Sequence, residues 1–372
     1  MDESEPPLTQ PASPPSPPPP KPKRNLIFGT HVQTDGRITN LCLNLTAPNL
    51  TALKDKISLS LKTNNGPTIS AIDFDYTVPI NIPYNPVYSI AYSQFANTSL
   101  PSAYDQESKS FINNIDVYSN QYLKHSFSFI NTWTHIRSSS SETPLEIREQ
   151  SGHFLKSYLK YAIQFDSRKP DGFLSNGVLA KISTDLSTNL FKKAARFGRL
   201  QAQVQANALL LPQHGLYGQF YLFSGSLLKA TKIDISDRFF PGGVPSFRGF
   251  RHQSFGPHIR EHPLGVISYF TAGFHLYPIF PGTTTKSKIN DFIRPNIFVN
   301  IGTVGDLSRG LRMTSLSDIK LSDSIRCSCG FGLVSTIMGV RFELNYCLPV
   351  KANENDLVVP GLQFGFYTDL AM

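Results

Sequence analysis

Between Leu200 and Ala208 the chain alternates strictly: Leu200, Ala202, Val204, Ala206 and Ala208 are separated by Gln201, Gln203, Gln205 and Asn207. A strand sends successive side chains to opposite faces, so this rhythm predicts a sheet with one apolar and one polar face. Phe342, Leu344 and Tyr346 repeat it within RFELNY (341–346), as do ISLSL (57–61) and SFSF (126–129). The polar face carries Gln, Asn, Ser, Arg and Glu, which suits bulk water or a wet lumen. The apolar face suits a sandwich core or lipid.

Sixteen such runs are expected, at 27–33, 38–46, 55–63, 68–78, 87–96, 111–120, 124–136, 154–165, 176–184, 199–210, 216–227, 264–278, 294–304, 324–336, 339–349 and 361–370. Each strand together with its connection then takes roughly 22 residues, of which a membrane-crossing strand uses about 9–11. No run approaches the roughly 20 apolar residues of a membrane helix. Only helices and closed barrels satisfy every backbone group in hydrocarbon. Charged residues are 17% of the chain, against 27 Phe and 15 Tyr, below the roughly 25% charge usual in soluble chains. The expectation is an all-β transmembrane antiparallel barrel over residues 26–372.

Residues 1–25 hold 10 of the 28 prolines; proline fixes φ and removes backbone donors, so an extended, disordered tail is expected there. Its acidic opening, Asp2, Glu3 and Glu5, suits neither a secretory signal nor a transit peptide. The net charge of +8 is spread along the chain, without the basic stripe of a nucleic-acid binder. Cys327 and Cys329 share a strand face; with Cys42 and Cys347 they read as free thiols, in keeping with a reducing compartment on at least one side.

Enzyme signatures are missing: no G-x-S-x-G, H-E-x-x-H, P-loop or C-x-x-C occurs. His252, His258 and His262, with Glu261, lie in a Gly- and Pro-punctuated stretch that reads as a solvated loop. No cofactor, metal or catalytic residue is expected. The segment that stands apart is 238–257, RFFPGGVPSFRGFRHQSFGP, between the eleventh and twelfth strand runs. Gly242, Gly243 and Gly249 permit tight turns there, and Arg248 stands between Phe247 and Phe250. It reads either as a surface loop or as a loop folded back into the lumen, presenting Arg248 to the wall.

The FRGF of 247–250, after PGG and before Gly256 and Pro257, resembles the loop motif of the BamA and TpsB superfamily of outer-membrane barrels. Within it, the chain is most similar to the core barrel subunit of the mitochondrial sorting and assembly machinery. SGHFLKS (151–157), DSR (166–168), GFHLY (273–277), NIFVNIG (296–302), RFELNYCLP (341–349) and GLQFG (361–365) resemble the same family in the same order. The resemblance is specific from about residue 145 onward and weak over 26–144. It implies a mitochondrial outer-membrane barrel that inserts β-barrel precursors by templated strand pairing, not an enzyme. The implied partners are outer-membrane lipid, precursor barrels and accessory subunits of an assembly complex, with no nucleic acid. Relatives usually carry a POTRA module ahead of the barrel; with residues 1–25 alone before the first strand, it is expected to be missing.

A closing seam is expected between the first strand (Ile27, Phe28, Gly29) and the last (Gln363, Gly365, Leu370), whose spacing resembles a mitochondrial β-signal except at Thr368. An Arg248 turned into a lumen needs a carboxylate. Strand parity offers Glu343 and Asp369; Asn300 stands where bacterial relatives have an aspartate. The competing reading is a passive porin-like channel, which has no need of the 247–250 loop. A two-partner secretion translocator and a soluble β-sandwich fit less well.

Overall fold

Neighbouring runs pair in chain order because each has a polar and an apolar face and a short connection to the next. The computed structural model describes residues 26–35, 38–51, 53–63, 69–99, 104–138, 143–169, 173–188, 197–228, 233–244, 246–259, 262–285, 287–305, 325–337, 340–354 and 356–368. The strands run β1 (Ile27–Asp35), β2 (Ile38–Pro48), β3 (Lys56–Thr63), β4 (Ile69–Pro79), β5 (Val87–Ser99), β6 (Tyr104–Tyr118), β7 (Leu123–Ser138), β8 (Gly152–Asp166), β9 (Gly177–Thr188), β10 (Gly198–Leu211) and β11 (Leu216–Leu228). Two short strands, β12 (His258–Ile259) and β13 (His262–Pro263), lie in the loop that follows. Then come β14 (Ser268–Tyr277), β15 (Ile293–Gly305), β16 (Ile325–Ile337), β17 (Val340–Lys351) and β18 (Gly361–Thr368).

All but β12 and β13 form one 16-stranded antiparallel sheet in chain order. Its two ends come together, β1 lying beside β18. Contact there is sparser than across any ladder of this sheet, and among the described residues no register joins the two strands. No described helix is long and apolar enough to cross a membrane; this barrel crosses with strands.

The faces settle which side meets lipid. On β15, Ile297, Val299 and Ile301 are 51%, 43% and 48% exposed, while Asn296, Phe298 and Asn300, which alternate with them, are buried. Phe220, Phe274, Phe331, Leu344 and Phe364 likewise stand on the outside. An exposed apolar band this extensive marks a surface made for lipid.

The strands follow the alternating runs of the sequence, except that β6 begins at Tyr104, not near residue 111. Its ladder with β7 continues from Tyr118↔Lys124 to Tyr104↔Ser138 straight through Asp105, Glu107 and Lys109. Charges there hide the apolar rhythm, yet the backbone goes on pairing. Two one-turn helices were also unforeseen, α1 (Leu145–Arg148) and α2 (Ile289–Phe292). The first drives Ile147 into a cluster with Tyr104, Ile136 and Ile235. Ile235 belongs to the long loop between β11 and β14, which folds into the lumen rather than over the surface.

Candidate functional site

The loop turns at Gly242 and Gly243, with φ of +118° and +85°, and closes when the Phe247 N–H donates to Gly243 O at 2.7 Å. Phe247, Phe250 and Phe255 then pack edge to face, centroids 4.7–5.1 Å apart, all fully buried. Such ring pairs add about 0.5–1.5 kcal/mol beyond their buried area. The apolar knot fixes the backbone on either side of Arg248, so the guanidinium is aimed by packing rather than left to sample rotamers.

Arg248 meets Glu343 of β17 in a two-pronged pair: Nε donates to Oε2 at 2.7 Å and Nη2 to Oε1 at 2.8 Å. Arg341 Nε donates to Oε1 at 3.0 Å, and Asn345 Nδ2 to Oε2 at 2.9 Å. Each carboxylate oxygen thus accepts two bonds, which compensates for the loss of water. Arg248 Nη1 lies 3.1 Å from His275 Nε2. A guanidinium only donates, so Nε2 accepts, the ring proton sits on Nδ1, and the imidazole is neutral. Nδ1 in turn reaches Asn296 Oδ1 at 3.2 Å, and Asn296 Nδ2 donates to Asn345 Oδ1 at 3.1 Å. The donors therefore run in one direction, from His275 through Asn296 and Asn345 to Glu343.

Tyr277 bonds with Arg341 Nη2 and donates to Gln219 Oε1 at 2.9 Å. Asn300 does not carry the charge of Arg248; it accepts the Tyr221 hydroxyl at 2.8 Å. Tyr221, His275, Tyr277, Asn296 and Asn345 were not singled out from sequence. The available signal was parity, since each falls on the polar side of its strand.

The loop is also clamped to the last strand. Gln363 of β18 accepts the Gly249 N–H at 2.9 Å and donates to Phe250 O at 3.1 Å. Ser328 of β16 donates to Arg248 O at 2.6 Å. Gly249 has φ +83°, and a Cβ there would lie 3.2 Å from Ser328 Cβ, so the close approach depends on glycine. Gly365 makes room for Val244, whose Cγ1 would be 2.7 Å from an added Cβ. Arg326 and Asp356 form a second buried two-pronged pair beside Phe255, at 2.7 and 2.9 Å.

Asp369 and Leu370 lie outside the described residues. Ile27, Phe28 and Gly29 stand on β1 opposite Thr46, Leu45 and Asn44, with Phe28 63% exposed. His258 Nδ1 is 2.8 Å from Gly256 O, and among the described residues no group of three or more His, Cys, Asp or Glu could hold a metal ion. The cluster offers positioning: a rigid lumenal plug that grips β14–β18 and ends on β18.

Residues 23–368 match the Omp85 superfamily domain. The Sorting and assembly machinery component 50 homolog B of Xenopus laevis is 31% identical over 244 residues, 65% of this chain and 51% of that protein. The human Sorting and assembly machinery component 50 homolog is 30% identical over the same coverage, and the Bos taurus homolog 27% over 337 residues, 88% of this chain and 69% of that protein. The chain therefore spans about half the length of the Xenopus and human proteins. Among solved structures, BamA from Haemophilus ducreyi lacking POTRA domains 1-3 aligns with TM-score 0.71 at 13% identity, covering 92% of this chain and 75% of that one. CdiB from Acinetobacter baumannii aligns at 0.54 and 15%, covering 92% and 58%.

Proposed function

The chain belongs to the Omp85 superfamily, and from that premise we propose that it is a β-barrel assembly factor of the mitochondrial outer membrane. Its barrel is of the type found in the sorting and assembly machinery component 50 homologs and BamA. The observation that carries the reading is the junction of β1 and β18. Every other neighbouring pair is sealed by a ladder, while these two strands touch sparsely.

A parted seam presents rows of N–H and C=O groups to hydrocarbon, where each unsatisfied group is costly. A client's terminal strand relieves that cost by adding to the exposed edge. Later hairpins build beside it, so client backbone enters the bilayer already paired. Gln363 grips the loop with its side chain, which leaves the β18 backbone edge available for the ladder. On this reading Ile27, Phe28 and Gly29 face Gln363, Gly365 and Leu370 across the gate, and Arg248 on Glu343 holds the plug that keeps β18 in place. Residues 26–372 form the working barrel, with 1–25 as a tail beside it. The partners are outer-membrane lipid, precursor barrels and accessory subunits.

Replacing the protein with a variant whose β1 and β18 are cross-linked tests this. Membrane-inserted levels of an endogenous pore-forming barrel are expected to fall as far as on depletion of the protein, and to recover when the cross-link is cleaved. Unchanged levels in both arms would favour the passive channel.

A further inference from the structure

The loop has a second anchor, far from Arg248. Where it leaves the β11 side, a 3₁₀ turn at Ile235–Asp237 sits against β8 and β10. Lys156 of β8 is only 4% exposed, and its ammonium lies 2.8 Å from Asp234 Oδ2 and 2.5 Å from Asp237 Oδ2. It also donates to Ser236 Oγ at 3.2 Å. Tyr158 donates to the other Asp237 oxygen at 3.0 Å. From β10, Arg199 Nη2 donates to Asp237 O at 2.8 Å and lies 3.6 Å from its carboxylate. Gln150 accepts the Ile235 N–H at 2.6 Å.

A lysine this dry is tolerable only with counter-charges in contact, and water-excluded pairs are poorly screened by salt. The anchor is therefore stiff. Its place in the sheet gives that stiffness a use. β8 stands eight places from β18 in the 16-strand order, directly across a closed barrel. The other end of the same loop reaches β17 through Arg248 and Glu343, and β18 through Gln363.

We propose that the loop is a cross-brace spanning the lumen, and that Lys156, with Asp234 and Asp237, is its far pin, setting where the β18 edge rests. Lys156 and Asp237 are thus positioning residues for client insertion, which rests on the assembly reading above. With the pin drawn, the base of the loop shifts along β8, the grip of Gln363 shifts with it, and β18 loses its fixed relation to β1.

The test uses the full chain in its membrane, with Lys156→Met, which keeps most of the apolar stem and removes the charge, and the exchange Lys156→Asp with Asp237→Lys. Each is read three ways: the heat-modifiable folded band on a gel, the disulfide yield between Phe364→Cys and single cysteines scanned along β1, and insertion of a labelled client barrel. Lys156→Met is expected to stay folded, to lose seam disulfide several-fold and to insert client several-fold more slowly; the exchange is expected to recover both. Should Lys156→Met leave no folded band, Asp234→Asn, which keeps the 2.5 Å pair, is read in its place with a smaller loss. A folded variant with seam and insertion unchanged overturns the brace, as does an exchange that restores neither. A seam that shifts while client insertion is indifferent even to removal of the whole protein supports the brace and sinks only the assembly reading.

Discussion

The lumenal faces of β3–β7 and of β14–β18 both carry Ser, Asn and charged residues, Asp, Glu and Lys in the first arc and Glu and Arg in the second, yet they work differently. In the first arc Lys62 and Asp73 pair at 3.0 Å with side chains 40% and 32% exposed. Lys124 and Asp116 pair at 2.8 Å, also in reach of water, and Ser126 and Ser128 bond to Asp116 and Asn114 across the ladder. In the second arc Asn296, Asn300, Ser328 and Asn345 have no exposure at all, and Glu343 has 1%. The loop is the difference. Around Arg248 it displaces water from the second wall, while on the first it covers only the Tyr104 and Ile136 end and leaves these pairs wet, so similar polar side chains become a specific network on one side and a solvated lining on the other.

That contrast breaks most visibly at Glu343. Glu343→Gln strands two buried guanidinium groups, Arg248 and Arg341, and is expected to destabilise the barrel by about 3–5 kcal/mol, read as a lower midpoint of heat modifiability in detergent. An effect as small as that of a surface pair would mean that water reaches this wall. Gln363→Leu comes next: two loop backbone groups lose their partners, at about 1–3 kcal/mol. The loop should then become more accessible to protease while the sheet stays intact; an equally protected loop would show that the Phe247, Phe250 and Phe255 knot alone holds it. The smallest effect belongs to the wet arc. Asp73→Asn breaks the pair with Lys62 and is expected to move stability by less than about 1 kcal/mol, in the same thermal assay. A loss comparable to that at Glu343 would erase the distinction between the two arcs.

Some of this was written locally. Parity put Glu343 and Gln363 on the polar side of their strands, and the glycines around Arg248 marked a tight turn. Tyr221, His275 and Asn296 carry the same parity but no sign of their partners, because a polar residue on a lumenal face looks the same whether water or a guanidinium stands opposite. Lys156 looked like any lumenal lysine; only the fold brings Asp234 and Asp237 to it, 78 and 81 positions along the chain. The early start of β6 was hidden for a related reason, since charged side chains near a strand end change the pattern without disturbing the ladder.

By itself the sequence determined the strand rhythm, the count of about sixteen strands and which face of each strand is apolar, because side-chain alternation is a property of each strand alone. Tertiary structure decided which wall is dry, which charges meet and where the loop is pinned. Those outcomes depend on water being excluded between segments far apart in the chain, and no local pattern records which segments will face each other.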